Sequence, residues 1–194
     1  MTTPRMTAPA TPARTGVWIG IATITMSFTA YTSALIVRQA SGGDWRHFAL
    51  PPILYLNTVL LLASSGTLEA GRRRIEARWL GPGETTADAP MTLWLTATLA
   101  LGILFIAGQV LAWRDLAAQG LFLATNPSSA FFYVFTALHA LHLLGGVIAL
   151  VYIERRVRVP AGRSPVQALG AAALYWHFMT VLWLYLLLVL ALRL

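Results

Sequence analysis

Five runs without a charged residue, each long enough to cross a bilayer, constrain this chain more than anything else in its sequence. The hydrocarbon layer is about 30 Å thick, and a helix of about 20 apolar residues crosses it with its backbone bonds satisfied internally. The runs predict spans at about 15–37, 49–70, 91–113, 129–153 and 168–192. The fourth is not delimited by charge alone, because the charge-free stretch runs from Leu116 to Ile153. That is too long for one span and too short for two with a turn. Asn126-Pro127-Ser128-Ser129 divides it: Pro127 disfavours helix at the residue before it, and Ser128 or Ser129 can cap a new one. Residues 116–128 then read as an apolar re-entrant or interfacial loop. The predicted fold is an all-α integral membrane protein. A polar tail, 1–14, precedes a single membrane domain, 15–194, built as a bundle of five transmembrane helices. The first run ends at Arg38 rather than at a small-residue cleavage site, so it reads as a retained span.

Orientation follows from the arginines, which supply all fourteen basic residues. With the N-terminus cytoplasmic, the inner segments hold Arg5, Arg14, Arg72, Arg73, Arg74, Arg78, Arg155, Arg156, Arg158 and Arg163. The outer ones hold Arg38, Arg46, Arg114 and Arg193. Ten against four is a positive-inside bias, and five spans place the C-terminus outside. The expected home is a bacterial cytoplasmic (inner) membrane. A net charge of +7 invites a nucleic-acid reading, but the arginines sit in short loops where a topology signal belongs, so no nucleic-acid partner is expected. Hydrophobic residues make up 57% and charged residues 11%, against about 25% charged in a soluble domain. With no cysteine, the chain has no disulfide, thiolate zinc site or iron–sulfur cluster.

Chemistry then depends on the polar residues inside the spans. Asn57 and Thr58, with Ser64, Ser65 and Gly66 two turns on, read as close helix packing with Asn as an interhelical hydrogen-bonding group. Gln109, about a turn from the outer end of the third span, reads the same way. Glu69 lies beside Arg72 and Arg73 at an inner end and reads as a solvated pair. The histidines are sharper. His139 and His142 are three apart, hence on one helical face, and His177 on the fifth span falls at a similar depth. That depth allows His142 and His177 to face each other. Two imidazoles on neighbouring helices can ligate a haem, and three can bind copper or zinc. The other reading is hydrogen bonding between helices or subunits, and no carboxylate near mid-depth is available to orient a ligand imidazole. Trp176 and Trp183, seven apart on an aromatic-rich fifth span, share a face that is expected to press on a large partner surface. The first three spans have no acid or base at mid-depth, which leaves a proton or ion relay unsupported.

Four motifs in order carry a family resemblance: LNTVLLLASSGTLEA in the second span, LGILFIAGQ in the third, FFYVFTALHALHLLGG in the fourth and YWHFMTVLWLYL in the fifth. Over roughly residues 16–192 the chain resembles the cytochrome c oxidase subunit III family of the haem-copper oxidases. The resemblance implies a non-catalytic accessory subunit of a terminal oxidase of aerobic respiration, which couples electron transport to O2 to proton translocation. Such a subunit holds no haem or copper itself; those belong to partner subunits. It packs on subunit I in a complex with subunit II, binds phospholipid, and aids turnover and the supply of oxygen and protons. His139, His142 and His177 would then be structural. Asn57, Thr58, Gln109, Trp176 and Trp183 would join them as structural, lipid or subunit I contacts. Long members of the family have seven spans and this chain resembles the last five, so an enlarged subunit I is expected to carry the other two. The family's first retained helix often carries a buried Glu; here Ile24 or a neighbouring Thr stands near that position. Other readings are a related protein accompanying nitric oxide reductase, a free-standing membrane b-type cytochrome with His ligands, and a small transporter.

Overall fold

The computed structural model describes residues 12–80, 89–158 and 166–194. Arg5 and Arg163, with most of the N-terminal tail, lie outside the described residues, as do the side chains of Arg78 and Arg158. The fold is α1 (Pro12–Ser41), α2 (Ile53–Leu80), α3 (Ala89–Ala118), α4 (Pro127–Arg158) and α5 (Val166–Arg193). All five are long and apolar enough to cross a membrane, and the chain is a multi-pass helical bundle. At 28 to 32 residues the helices are about 45 Å long. Each therefore projects beyond the hydrocarbon layer at its ends, where the arginines lie.

The helices are not equivalent. α2 packs on α3, α3 on α4, α4 on α5, and α5 back on α2, closing a four-helix ring. α1 stands outside it, against α5 and to a lesser extent α4. The ring is built from alternating three- and four-residue steps. Along α2 the interior positions are Leu54, Asn57, Leu61, Ser64, Leu68, Gly71 and Ile75. Along α5 they include Leu169, Ala173, Trp176, Thr180, Trp183 and Leu190. This spacing gives knobs-into-holes packing at a shallow crossing angle. α1 is exposed over most of its length and carries many hydroxyls. Five of these, from Thr23, Thr25, Ser27, Thr29 and Thr32, donate to the carbonyl four residues back, so they need no partner from another helix.

Two connections are described. In the first, residues 42–52, the loop is tied to the end of α5. Phe48 N donates to Leu194 O (2.9 Å), Trp45 Nε1 donates to Arg193 O (3.1 Å), and His47 Nδ1 lies 3.0 Å from Leu194 O. Arg38 pairs with Asp44 at 2.7 Å, and this guanidinium holds the exposed carboxyl below the usual carboxylate range. The second is shorter than the sequence implies. α3 continues to Ala118, so most of the loop lies within 119–126. Tyr133 Oη donates to Leu121 O (2.9 Å), Ser129 Oγ donates to Phe122 O (2.7 Å), and Gly120 supplies a positive φ, 78°. The cap of α4 is Asn126, whose Oδ1 accepts from Ser129 N (2.8 Å), with Pro127 in the first turn. Ser128 instead donates to Arg46 O (2.7 Å), joining the first turn of α4 to the 42–52 loop.

Close approach in the ring depends on missing side chains. A Cβ at Gly102 would stand 2.9 Å from the Trp176 ring, and one at Gly146 would stand 3.2 Å from it. Gly102→Val is expected to destabilise the bundle by about 1–3 kcal/mol, because the indole has no slack to give. Gly145, with nothing within 4 Å of its Cβ position, is the control. Thermal unfolding of both variants in one detergent compares them.

Candidate functional site

The residues singled out in the sequence fall into an interior set and a half-exposed set. Trp176 is fully buried, and its Nε1 donates to Ser64 Oγ of α2 at 2.7 Å. Its ring lies against Gly102 of α3 and Gly146 of α4. Two turns further on, Trp183 repeats the arrangement. Its Nε1 donates to Thr58 Oγ1 of α2 (3.0 Å), its ring meets Phe105 of α3 edge-on at 4.8 Å, and His139 of α4 lies 5.1 Å away. Each tryptophan thus touches all three other helices of the ring. The surface that this aromatic face presses on is the chain's own. Asn57, Gln109 and His139 are also fully buried.

The histidines do not converge. His139 points into the ring between Phe105 and Trp183. His142 stands at the seam with α1, its ring 6.0 Å from Phe28 and its Nδ1 donating to Leu138 O (2.6 Å). His177 turns toward α2, with Nδ1 2.5 Å from Ser65 Oγ. So His142 and His177 do not face each other, and the shared face expected of His139 and His142 divides between the interior and the α1 seam. Among the described residues no cluster of three or more His, Asp or Glu is arranged to hold a metal ion.

Sequence reasoning missed the environment of His177. Glu69 is not only a solvated partner of arginine. It accepts from Arg72 (2.8 Å) and Arg73 (2.6 Å), and its Oε2 also lies 3.7 Å from His177 Nε2. A carboxylate does stand beside an imidazole at this level, at a distance too long for a hydrogen bond in the present geometry. The sequence marks Ser64 and Ser65 only as small packing residues, yet one bonds an indole and the other an imidazole. The readable signal is the matched spacing of hydroxyls on α2, Thr58 and Ser64–Ser65, against Trp183 and Trp176–His177 on α5.

A family model described as cytochrome c oxidase subunit III matches residues 19–192. The chain belongs to this family. Cytochrome c oxidase subunit 3 of Synechocystis sp. is 29% identical over 174 residues, which cover 89% of this chain and 67% of that protein. The probable cytochrome c oxidase subunit 3 of Mycobacterium leprae is 31% identical over 169 residues, 81% of this chain and 74% of that protein. Its counterpart in Mycobacterium tuberculosis is 29% identical over 166 residues, with the same coverage. In this subunit III chain, the stretch of α1 expected to correspond to the family's buried acid has Ile24 packed in the core, and Thr25 Oγ1 bonded within its own helix to Ile21 O (2.8 Å).

Ser64→Ala removes the acceptor of a buried indole N–H, and the cost is expected at about 1–3 kcal/mol. No neighbour on α2 offers a substitute acceptor: Ser65 is engaged with His177, and Gly66 carries no hydroxyl and faces outward. The thermal midpoint of Ser64→Ala against Ser64→Thr, which restores a hydroxyl, separates loss of the bond from loss of packing.

Proposed function

We propose that this chain is a non-catalytic accessory subunit of a haem-copper terminal oxidase, packing on subunit I in a complex with subunit II. The observation that carries the reading is the family match over nearly the whole chain, joined to a ring in which Ser64 and Thr58 of α2 are spent on the indoles of Trp176 and Trp183. Haem and copper then belong to the partners, and electron transport to O2 and proton translocation are activities of the whole complex. The family relationship also supports an enlarged subunit I supplying two further helices. α1 is the natural contact for them: it lies outside the ring and exposes Trp18, Ile19 and Met26. His177, half-exposed beside Ser65 and Glu69, is a second contact position. A phospholipid acyl chain fits the groove of about 440 Å³ between α1, α4 and α5, which is lined by Val17, Gly145, Ala149, Ala171, Ala172 and Tyr175.

The proposed location is a bacterial cytoplasmic membrane with the N-terminus inside. Arg72, Arg73, Arg74, Arg155 and Arg156 gather at one end of the bundle, and Arg38, Arg46, Arg114 and Arg193 at the other. The absence of cysteine makes topology directly measurable. Arg155→Cys is expected to resist a membrane-impermeant maleimide in intact cells, and Gln119→Cys to react. The reverse pattern inverts the topology.

Function is tested by purifying the tagged chain in mild detergent, recording its visible spectrum and identifying what co-purifies. A haem- and copper-bearing polytopic partner, with the separated chain colourless, is the expected result. A haem spectrum retained by the isolated chain makes His139, His142 or His177 ligands and sinks the accessory reading. A nitric oxide reductase as partner moves the assignment to that enzyme. Ala172→Phe, which fills the groove, is expected to reduce the phospholipid retained per chain, measured by mass spectrometry.

A further inference from the structure

One level of the four-helix ring is polar in a way that its packing does not explain. Asn57, Gln109 and His139 have no exposed surface, and none of the six side-chain nitrogen and oxygen atoms they carry has a hydrogen-bond partner. They come from three helices, and helix register brings them together. The Thr67–Thr98 hydrogen bond (2.9 Å) and the contact of Gly71 with Trp94 set α2 against α3. From that bond it is ten residues along α2 to Asn57 and eleven along α3 to Gln109, or about 15 Å and about 16.5 Å. The Asn57 amide does reach this level of α3, because a Cβ at Gly108 would strike its Oδ1. Between α3 and α4 the marker is Trp113 Nε1, which donates to Thr136 Oγ1 at 2.9 Å. From there Gln109 is four residues back and His139 three residues on, so the two stand within about 2 Å of the same depth. Phe105 and Trp183 close the side toward α5, with their rings against His139.

We propose that Asn57, Gln109 and His139 form a buried hydration site, in which one or two ordered water molecules join α2, α3 and α4. The chemistry of the set selects water. Two amides and a neutral imidazole offer both donors and acceptors, and a water molecule supplies two of each. An ion is disfavoured, since no charged side chain enters the ring at this level: Glu69 of α2 is twelve residues from Asn57, Arg114 of α3 is exposed, and the adjacent hydroxyl, Thr58 Oγ1, already accepts from Trp183. Buried waters typically make about three hydrogen bonds and occur about once per 27 residues, so one or two in a chain of 194 residues is ordinary. Lipid offers these atoms no partner of its own. Gly108 has a specific part here: it leaves the room that the Asn57 amide occupies.

The proposal concerns the interior of the ring and stands whether or not the partners are those of an oxidase. The decisive experiment is a map of the full chain, with whatever subunits purify with it, fine enough to resolve ordered water. Density within hydrogen-bonding distance of at least two of the three side chains is the expected result. Direct bonds among the side chains without such density, a dry unpaired site, or density for a larger ligand each overturn it. Stability provides a second reading. His139→Gln keeps a donor and an acceptor and is expected to melt near the parent, whereas His139→Leu is expected to melt clearly lower. A His139→Leu midpoint at or above the parent's overturns the proposal. Should that variant fail to fold, the parent's map decides.

Discussion

The indole of Trp176 sets the geometry on which the rest of the bundle depends. With Trp183 it is the largest side chain in the interior, and it fills the space where four helices meet. Its size and its single N–H each impose a condition. The neighbouring helices can approach only where they carry glycine, at Gly102 and Gly146. The donor must also be satisfied, and Ser64 does so from α2. In lipid there is no general hydrophobic drive to bring apolar helices together, so association rests on close packing and interhelical hydrogen bonds. Trp176 and Trp183 supply both, two turns apart, to the same three helices.

Polar residues in this bundle are therefore divided by partner. Hydroxyls on α1 donate within their own helix, and of these Thr32 also accepts from Tyr185 of α5; the others leave the helix free to face lipid or another protein. On α2 the hydroxyls of Thr58, Ser64 and Ser65 are committed to indole and imidazole groups of α5, and that of Thr67 meets Thr98 of α3. Four charged groups are paired among themselves: Glu69, Arg72, Arg73 and Glu76 form one network along the second half of α2, and Arg74 lies over the ring of Trp94. This distribution suits an accessory role. The side chains that would be able to do chemistry are either packed inside the ring or held in ion pairs at its rim.

The histidines illustrate how a motif can be read correctly as to family and incorrectly as to geometry. His139 and His142 are three residues apart, yet a helix turns them about 60° from one another. At a seam between two neighbours that angle is enough to send one imidazole inward and the other toward α1. Ligation would have required His142 and His177 to converge, and α5 presents His177 to α2 instead.

Much of the architecture was legible because its causes are local. Burying charge in lipid is expensive, so charge-free runs mark the helices, and arginines mark their ends. Pro127 marks a helix start because its effect on the preceding residue is immediate. The four ordered motifs carried the family. What the sequence did not determine is which side of each helix faces inward. These helices are apolar all round, so no stripe distinguishes the interior from the lipid face. That choice was made by contacts between residues far apart in the chain: Ser64 with Trp176, Thr58 with Trp183, Glu69 near His177. The end of α3 is closed locally, by Gly120 at positive φ with Leu121 N donating to Leu116 O (3.0 Å); distant atoms, Tyr133 and Ser129 of α4, hold only the loop beyond it, at Leu121 and Phe122. Composition and local sterics fixed the five helices; shape and hydrogen bonding between them decided the ring and what lies inside it.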